Sequence, residues 1–151
     1  NYGKTHIWGA DITLSMGIPL GELFKVYFSG SYTWQKAVDL TDPNAKNYKD
    51  QLPYTPEHNG NGSVIWETPW VKLGYSLIGV GKRYYFSQNI PENEIEGYVE
   101  QTLTLSRQFS FKTCRLRLQA DFINFMNEQY EVIKYYPMPG RSWKITAAIH
   151  F

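Results

Sequence analysis

Few residues of this 151-residue chain have types and spacings that suit bond-making chemistry. The three histidines, His6, His58 and His150, fall on separate segments, without the i,i+4 or His-x-Glu spacing that holds zinc. Solvated or interfacial positions account for them more simply. Glu92, Glu94, Glu96 and Glu100 crowd one stretch and could attract a cation. No Asp-x-Asp-x-Asp-Gly calcium loop is present, and a solvated acidic loop is the favoured reading. Cys114 is the single cysteine, which excludes an internal disulfide and a cysteine-based metal cluster. There is no glycine-rich phosphate loop, nucleophile elbow or Cys/His pair. Gly60 and Gly62 suit a turn or bulge at a strand start. The expectation is a chain that is not an enzyme and carries no cofactor or metal. A net charge of +1 argues against a nucleic-acid partner. Arg115, Arg117 and Asp121 stand at alternate positions and share one strand face. Two readings stay open for them: a contact with another part of the molecule or a ligand path, and an internal ion-pair ladder. Tyr85, Asn89 and Tyr130, in or beside long polar segments, are the candidate ligand contacts.

The elements that must position these residues are strands. Helical periodicity is nearly absent and period-2 alternation is pervasive. At the C-terminus Trp143, Ile145, Ala147, Ile149 and Phe151 form one face, against Ser142, Lys144, Thr146, Ala148 and His150. Leu116, Leu118, Ala120 and Phe122 oppose Arg115, Arg117, Gln119 and Asp121 in the same way. The pattern predicts seven strands, at 4–15, 24–38, 58–67, 71–85, 98–109, 114–125 and 140–151. Most exceed the five or six residues usual in globular sheets and match the roughly 9–11 of a tilted membrane strand. The connections alternate: 16–23, 68–70 and 110–113 are short or moderate, whereas 39–57, 86–97 and 126–139 are long and polar.

Composition agrees. Aromatic residues make up 17%, with 12 Tyr and 5 Trp, as interfacial belts demand. A carbohydrate-binding β-sandwich would show this too. No apolar run approaches the roughly 18 residues of a transmembrane helix. No signal peptide is visible and the chain opens on Asn1 rather than Met, so a mature or truncated chain is expected. A lipocalin-like barrel or sandwich would turn the apolar face inward, and alternation alone does not separate inside from outside. Clustered charge on the polar faces, loop asymmetry and a terminal aromatic completing an apolar stripe favour a membrane barrel. Its long loops lie outside and its C-terminus in the periplasm. Trp34, Tyr84, Tyr85 and Trp143 are expected in the outer aromatic girdle.

Four segments resemble one family. Tyr136–Trp143, followed by the alternating strand to Phe151, resembles the C-terminus of TonB-dependent outer-membrane receptors, particularly the Bacteroidetes type. Leu52-Pro53-Tyr54-Thr55-Pro56-Glu57-His58 resembles the family's "YTP" segment. Val80-Gly81-Lys82-Arg83-Tyr84-Tyr85 resembles its "GxRY" strand end, with Arg83 as an anchor at the outer rim. Asn124–Tyr130 resembles its "NLFN-x-x-Y" segment. Residues 1–51 agree by strand pattern only.

The resemblance implies an all-β, antiparallel up-and-down transmembrane barrel of 22 strands closed by an N-terminal plug. The seven strands here would be the last seven. The plug and energy-coupling segment are absent from this chain, and an open sheet is not viable in lipid, so the chain is part of a larger assembly or a fragment. The implied activity is energised nutrient uptake. The Pro137-Met138-Pro139-Gly140-Arg141-Ser142 ending resembles the vitamin and metal-chelate branch, which points to cobalamin first, then haem or a siderophore. Implied partners are outer-membrane lipid, the remainder of the receptor, the TonB complex through the N-terminal part, and a surface lipoprotein. Trp143, Ile145, Ala147, Ile149 and Phe151 would be the stripe read by barrel-assembly machinery. A passive porin or adhesion barrel and a soluble β-barrel binding protein are the alternatives.

Overall fold

The computed structural model describes residues 3–151. In chain order its strands are β1 (Thr5–Pro19), β2 (Lys25–Asp39), β3 (His58–Glu67), β4 (Lys72–Val80), β5 (Arg83–Tyr84), β6 (Glu94–Ile95), β7 (Tyr98–Ser110), β8 (Arg115–Ile123), β9 (Glu131–Ile133), β10 (Tyr136–Pro137) and β11 (Ser142–His150). Seven form one antiparallel sheet in the order β1-β2-β3-β4-β7-β8-β11, so chain neighbours are always sheet neighbours. The remaining four make two small ribbons, β5 with β6 and β9 with β10. Among the described residues β1 and β11 each keep one free edge, and the sheet does not close on itself.

The turns at one end are tight. Leu20 N donates to Phe24 O at 2.8 Å, and Gly21 takes the left-handed φ of 84° that the bend needs. Thr68 closes the second turn by accepting from Val71 N at 3.0 Å on its hydroxyl. Phe111 N donates to Cys114 O at 2.8 Å in the third. At the other end residues 40–57, 81–97 and 124–141 form three long excursions, called loops 1, 2 and 3 below.

The sheet's ladder register is unbroken, and this aligns one face across all seven strands. Met16, Phe28, Val64, Tyr75, Leu103, Phe122 and Trp143 form one continuous row. Ile18, Val26, Trp66, Leu73, Leu105, Ala120 and Ile145 form the next. The opposite face carries Ser15, Ser29, Ser63, Ser76, Thr102, Ile123 and Ser142. Each row climbs from the turn end of β1 to the loop end of β11, the stagger that tilted barrel strands require. Aromatic side chains gather at both ends of the apolar face. Trp8 meets Trp34 edge-on at 4.7 Å, and Phe122 stacks on Trp143 at 4.1 Å, near the loop end. Trp66 and Phe109 stand near the turn end, with Trp70 and Phe111 in the turns.

Neither face of this wall is covered by the chain. Ile145 is 83% exposed and Ile12 66%. The buried apolar residues, Ala37, Val38 and Ile95, sit at the loop end instead. A monomeric soluble domain rarely leaves so large an apolar surface open.

Several boundaries differ from the sequence reading. The first strand runs on to Pro19, because Met16 and Ile18 continue its apolar face. The fourth stops at Val80 rather than residue 85. Its partner β3 begins at His58, and Gly81 N donates to His58 O at 2.8 Å as the chain leaves the sheet. A Cβ on Gly81 would lie 2.9 Å from that carbonyl. Tyr84 and Tyr85 therefore leave the wall and are not part of its aromatic belt. β8 ends at Ile123 because Asn124 turns the chain with φ 51°. Gly60 and Gly62 form neither a turn nor a bulge: both lie in regular pairing, and a Cβ on Gly60 would meet Ser31 O at 2.7 Å. The missing side chain at Gly60 serves close approach of β2 and β3, whereas Gly62 has room for a Cβ.

Candidate functional site: the loop head and the polar face

The three long loops tie into one head above the wall. Loop 1 is built on Asp39, whose carboxylate accepts from Thr41 N at 2.8 Å and from Asn47 Nδ2 at 2.9 Å. The Thr41 hydroxyl and amide beside it hold the Asp39 carboxyl below its ordinary range. Gln51 is buried: its Oε1 accepts from Ala37 N and its Nε2 donates to Thr55 O. Loop 1 grips loop 2 through Tyr54 N to Tyr84 O at 2.7 Å and Asn89 N to Asp50 Oδ2 at 3.0 Å.

Loop 2 in turn grips loop 3. Arg83 is buried, and its Nη2 donates to Glu131 O at 2.6 Å and Val132 O at 3.0 Å, with its guanidinium 5.7 Å from the Tyr98 ring. Lys134 Nζ reaches Glu94 O at 3.2 Å. Tyr130 stacks on Tyr98 at 3.9 Å, and its hydroxyl donates to Glu100. Desolvation, then the Glu100 carboxylate, push the Tyr130 phenol above its ordinary range. In loop 3 the buried Asn124 donates to Glu128 O and Pro139 O and accepts from Glu128 N, closing the loop base.

The candidate ligand contacts occupy three kinds of place. Tyr130 is committed to Tyr98 and Glu100 inside the head. Asn89 is committed to loop 1 through Asp50 and, by its side-chain amide, the backbone of Gln51. Tyr85 packs on Phe86 at 4.5 Å and edge-on to Tyr135 at 6.1 Å, with Lys134 Nζ 5.9 Å from its ring. A hydrogen bond with Tyr135 raises the Tyr85 phenol above its ordinary value. Beside it Phe86 and Tyr135 are exposed, as are Ile133 and Tyr136, which pair across the β9–β10 ribbon. The sequence reading missed this aromatic patch; the run of rings at Tyr84-Tyr85-Phe86 and Tyr135-Tyr136 was its only signal.

On the wall's polar face, carboxylates are spoken for. Asp11 accepts from Thr33 at 2.5 Å, Glu67 pairs with Lys72, and Asp121 accepts from Thr104 at 2.8 Å and Gln119 at 2.9 Å. Asp121 forms no ion pair with Arg115 or Arg117, and Lys144 opposite it forms none either, among the described residues. The expected grouping of Arg115, Arg117 and Asp121 thus divides. Asp121 is a buried strut between β7 and β8. The arginines lie at the turn end beside Gln108 and His150. Of the terminal stripe, Trp143 stacks on Phe122, while Ile145, Ala147 and Ile149 continue the apolar face beside Ala120, Leu118 and Leu116. Phe151 follows the last strand, fully exposed. No group of three or more metal-ligating side chains converges among the described residues.

Comparison with known families accounts for most of the chain. Residues 1–125 match the family described as TonB dependent receptor-like, beta-barrel. The match covers the first 51 residues, which carried no motif of their own, and stops within the turn after β8. No curated protein matches the chain.

Proposed function

The chain belongs to the TonB-dependent receptor β-barrel family, and from that premise we propose that its loop head is part of the face that captures a bulky, ring-bearing nutrient. Membership makes the sheet a piece of outer-membrane barrel wall serving TonB-coupled transport. The aligned apolar rows then meet lipid, the serine- and threonine-rich rows line the lumen, and β11 descends to the periplasm. The exposed rings of Phe86 and Tyr135 on Tyr85, with Lys134 beside them, are the observation that carries the ligand reading. Aromatic faces stack on flat apolar rings, and an adjacent ammonium suits a carboxylate or phosphate on the same ligand. Cobalamin fits first, then haem or a siderophore. The chain catalyses nothing in this reading; it captures and passes on.

The test is a binding panel with the full receptor, using cyanocobalamin, haemin and a ferric siderophore. Tyr135→Ala should weaken the bound nutrient by roughly tenfold, the effect of losing one stacked ring. Unchanged affinity for every member of the panel would remove the aromatic patch from the ligand path. Uptake that persists in cells lacking TonB would instead favour the passive porin. The terminal stripe is proposed as the assembly signal: Phe151→Asp should lower the amount of folded receptor at the surface and leave its affinity unchanged. Equal surface abundance would sink that role.

A further inference from the structure

The apolar face of the wall is not evenly filled. In the two rows on the loop side of Phe28, Val64 and Tyr75, four positions carry no side chain. Gly30 pairs with Gly62 in the first row, and Gly60 with Gly79 in the next. They leave two adjoining hollows of about 440 and 700 Å3, both bordered by Tyr32 and Leu77. Backbone crowding accounts for Gly60 and Gly30, where a Cβ would lie 2.7 Å from Ser31 O and 3.3 Å from Asn61 O. It does not account for Gly62 and Gly79. A Cβ at either meets nothing closer than 3.8 Å, and neither takes a left-handed φ. Glycine inside a strand weakens it, and where the chain itself does not need the space, the position marks the close approach of something else.

The hollow nearer the loops also carries polar groups on this otherwise apolar face. Gln101 pairs with Leu77 in the first glycine row. Its Oε1 accepts from the Tyr75 hydroxyl at 2.8 Å, and its Nε2 has no partner among the described residues. Glu128, from loop 3, borders the same hollow, and its carboxylate forms no ion pair among the described residues. Neither hollow is bordered by Lys or Arg.

We propose that this glycine trough is a binding site for one phospholipid with an ethanolamine head. An acyl chain lies in the trough, Gln101 Nε2 donates to an ester carbonyl, and Glu128 answers the ammonium. The trough is one or two strand spacings wide, about 5–10 Å. That admits an acyl chain and not a second barrel wall, which the rings of Phe28, Tyr32 and Tyr75 at its edges would hold off. Charge selects the head: a purely anionic one would meet a carboxylate and no cation.

The experiment weighs the full-length receptor, extracted from outer membranes in mild detergent, by native mass spectrometry. It should retain one phosphatidylethanolamine and reload it from vesicles in preference to phosphatidylglycerol or lipopolysaccharide. Gly62→Ala/Gly79→Ala should fold at least as well, since each Cβ has room, yet retain roughly fivefold less of the lipid. Gln101→Leu should also lower retention roughly fivefold, and Glu128→Gln should erase the preference for ethanolamine. Unchanged retention in the alanine variant, equal retention of the other lipids, or a protein held in place of lipid would each overturn the proposal. The proposal rests on the reading that the apolar face meets lipid, which a nitroxide at position 103 in a Cys114→Ser background tests apart. Collision mainly with an aqueous nickel complex would sink both. Collision mainly with oxygen, with no phospholipid retained, would sink the site alone.

Discussion

The wall is held by backbone: its strands pair in continuous ladders, while both of its faces stay open. The loop head is held by side chains, with Arg83, Gln51, Asn93 and Asn124 buried and each donating to a backbone carbonyl. The difference follows from solvent. In lipid a ladder satisfies every backbone group and apolar side chains need no partner from the chain itself. Beyond the wall the loops have only two short ribbons, so buried amides and a guanidinium satisfy carbonyls that no ladder reaches. Stability in the wall is therefore a matter of face, and in the head a matter of individual hydrogen bonds.

The contrast is most easily broken in the wall. Leu105 lies midway along β7 on the apolar face, and Leu105→Arg should cost about 2–4 kcal/mol. Ser106→Arg, one residue on and facing the lumen, should stay within about 0.5 kcal/mol. Leu118 stands opposite Arg107, whose guanidinium lies over the Phe109 ring at 4.9 Å near the turn end. Leu118→Arg should thus cost only about 0–1 kcal/mol. Denaturant titration of the receptor in lipid vesicles gives this series; equal costs at 105 and 106 would refute the assignment of faces.

In the head, Arg83→Met removes the donor to Glu131 O and Val132 O, at about 1–3 kcal/mol of local stability. Hydrogen exchange should accelerate in loops 2 and 3 and stay unchanged in the wall strands. Acceleration throughout β7 and β8 would mean that head and wall unfold as one unit.

A smaller effect, about 1 kcal/mol, is expected for Tyr130→Phe, which loses the bond to Glu100. It also carries a pH signature. The folded phenol has a raised pKa, so the folded head holds its proton more tightly than the unfolded chain does. The contribution is complete below the ordinary tyrosine value near 10 and is lost as pH climbs through the folded value. Loop 3 should loosen in alkaline buffer in the native receptor, and the Phe variant should lack that dependence. Identical alkaline profiles would exclude Tyr130 as the source.

Alternation by itself determined the wall. Which residues share a face is a period-2 property of the sequence, so the apolar and polar sets of β8 and β11 could be read directly, as could the short and long ends. Only the tertiary structure decided where strands stop and which polar side chains meet. β4 ends at Val80 because β3 starts at His58, which takes a last bond from Gly81 N, and no feature of Arg83 or Tyr84 announces that. Asp121 parts from Arg115 and Arg117 because it lies four or more residues further along β8, where Thr104 stands across from it and donates to its carboxylate. Buried contacts between loops distant in sequence, such as Arg83 with Glu131, depend on how three excursions fold together, and strand periodicity says nothing about them.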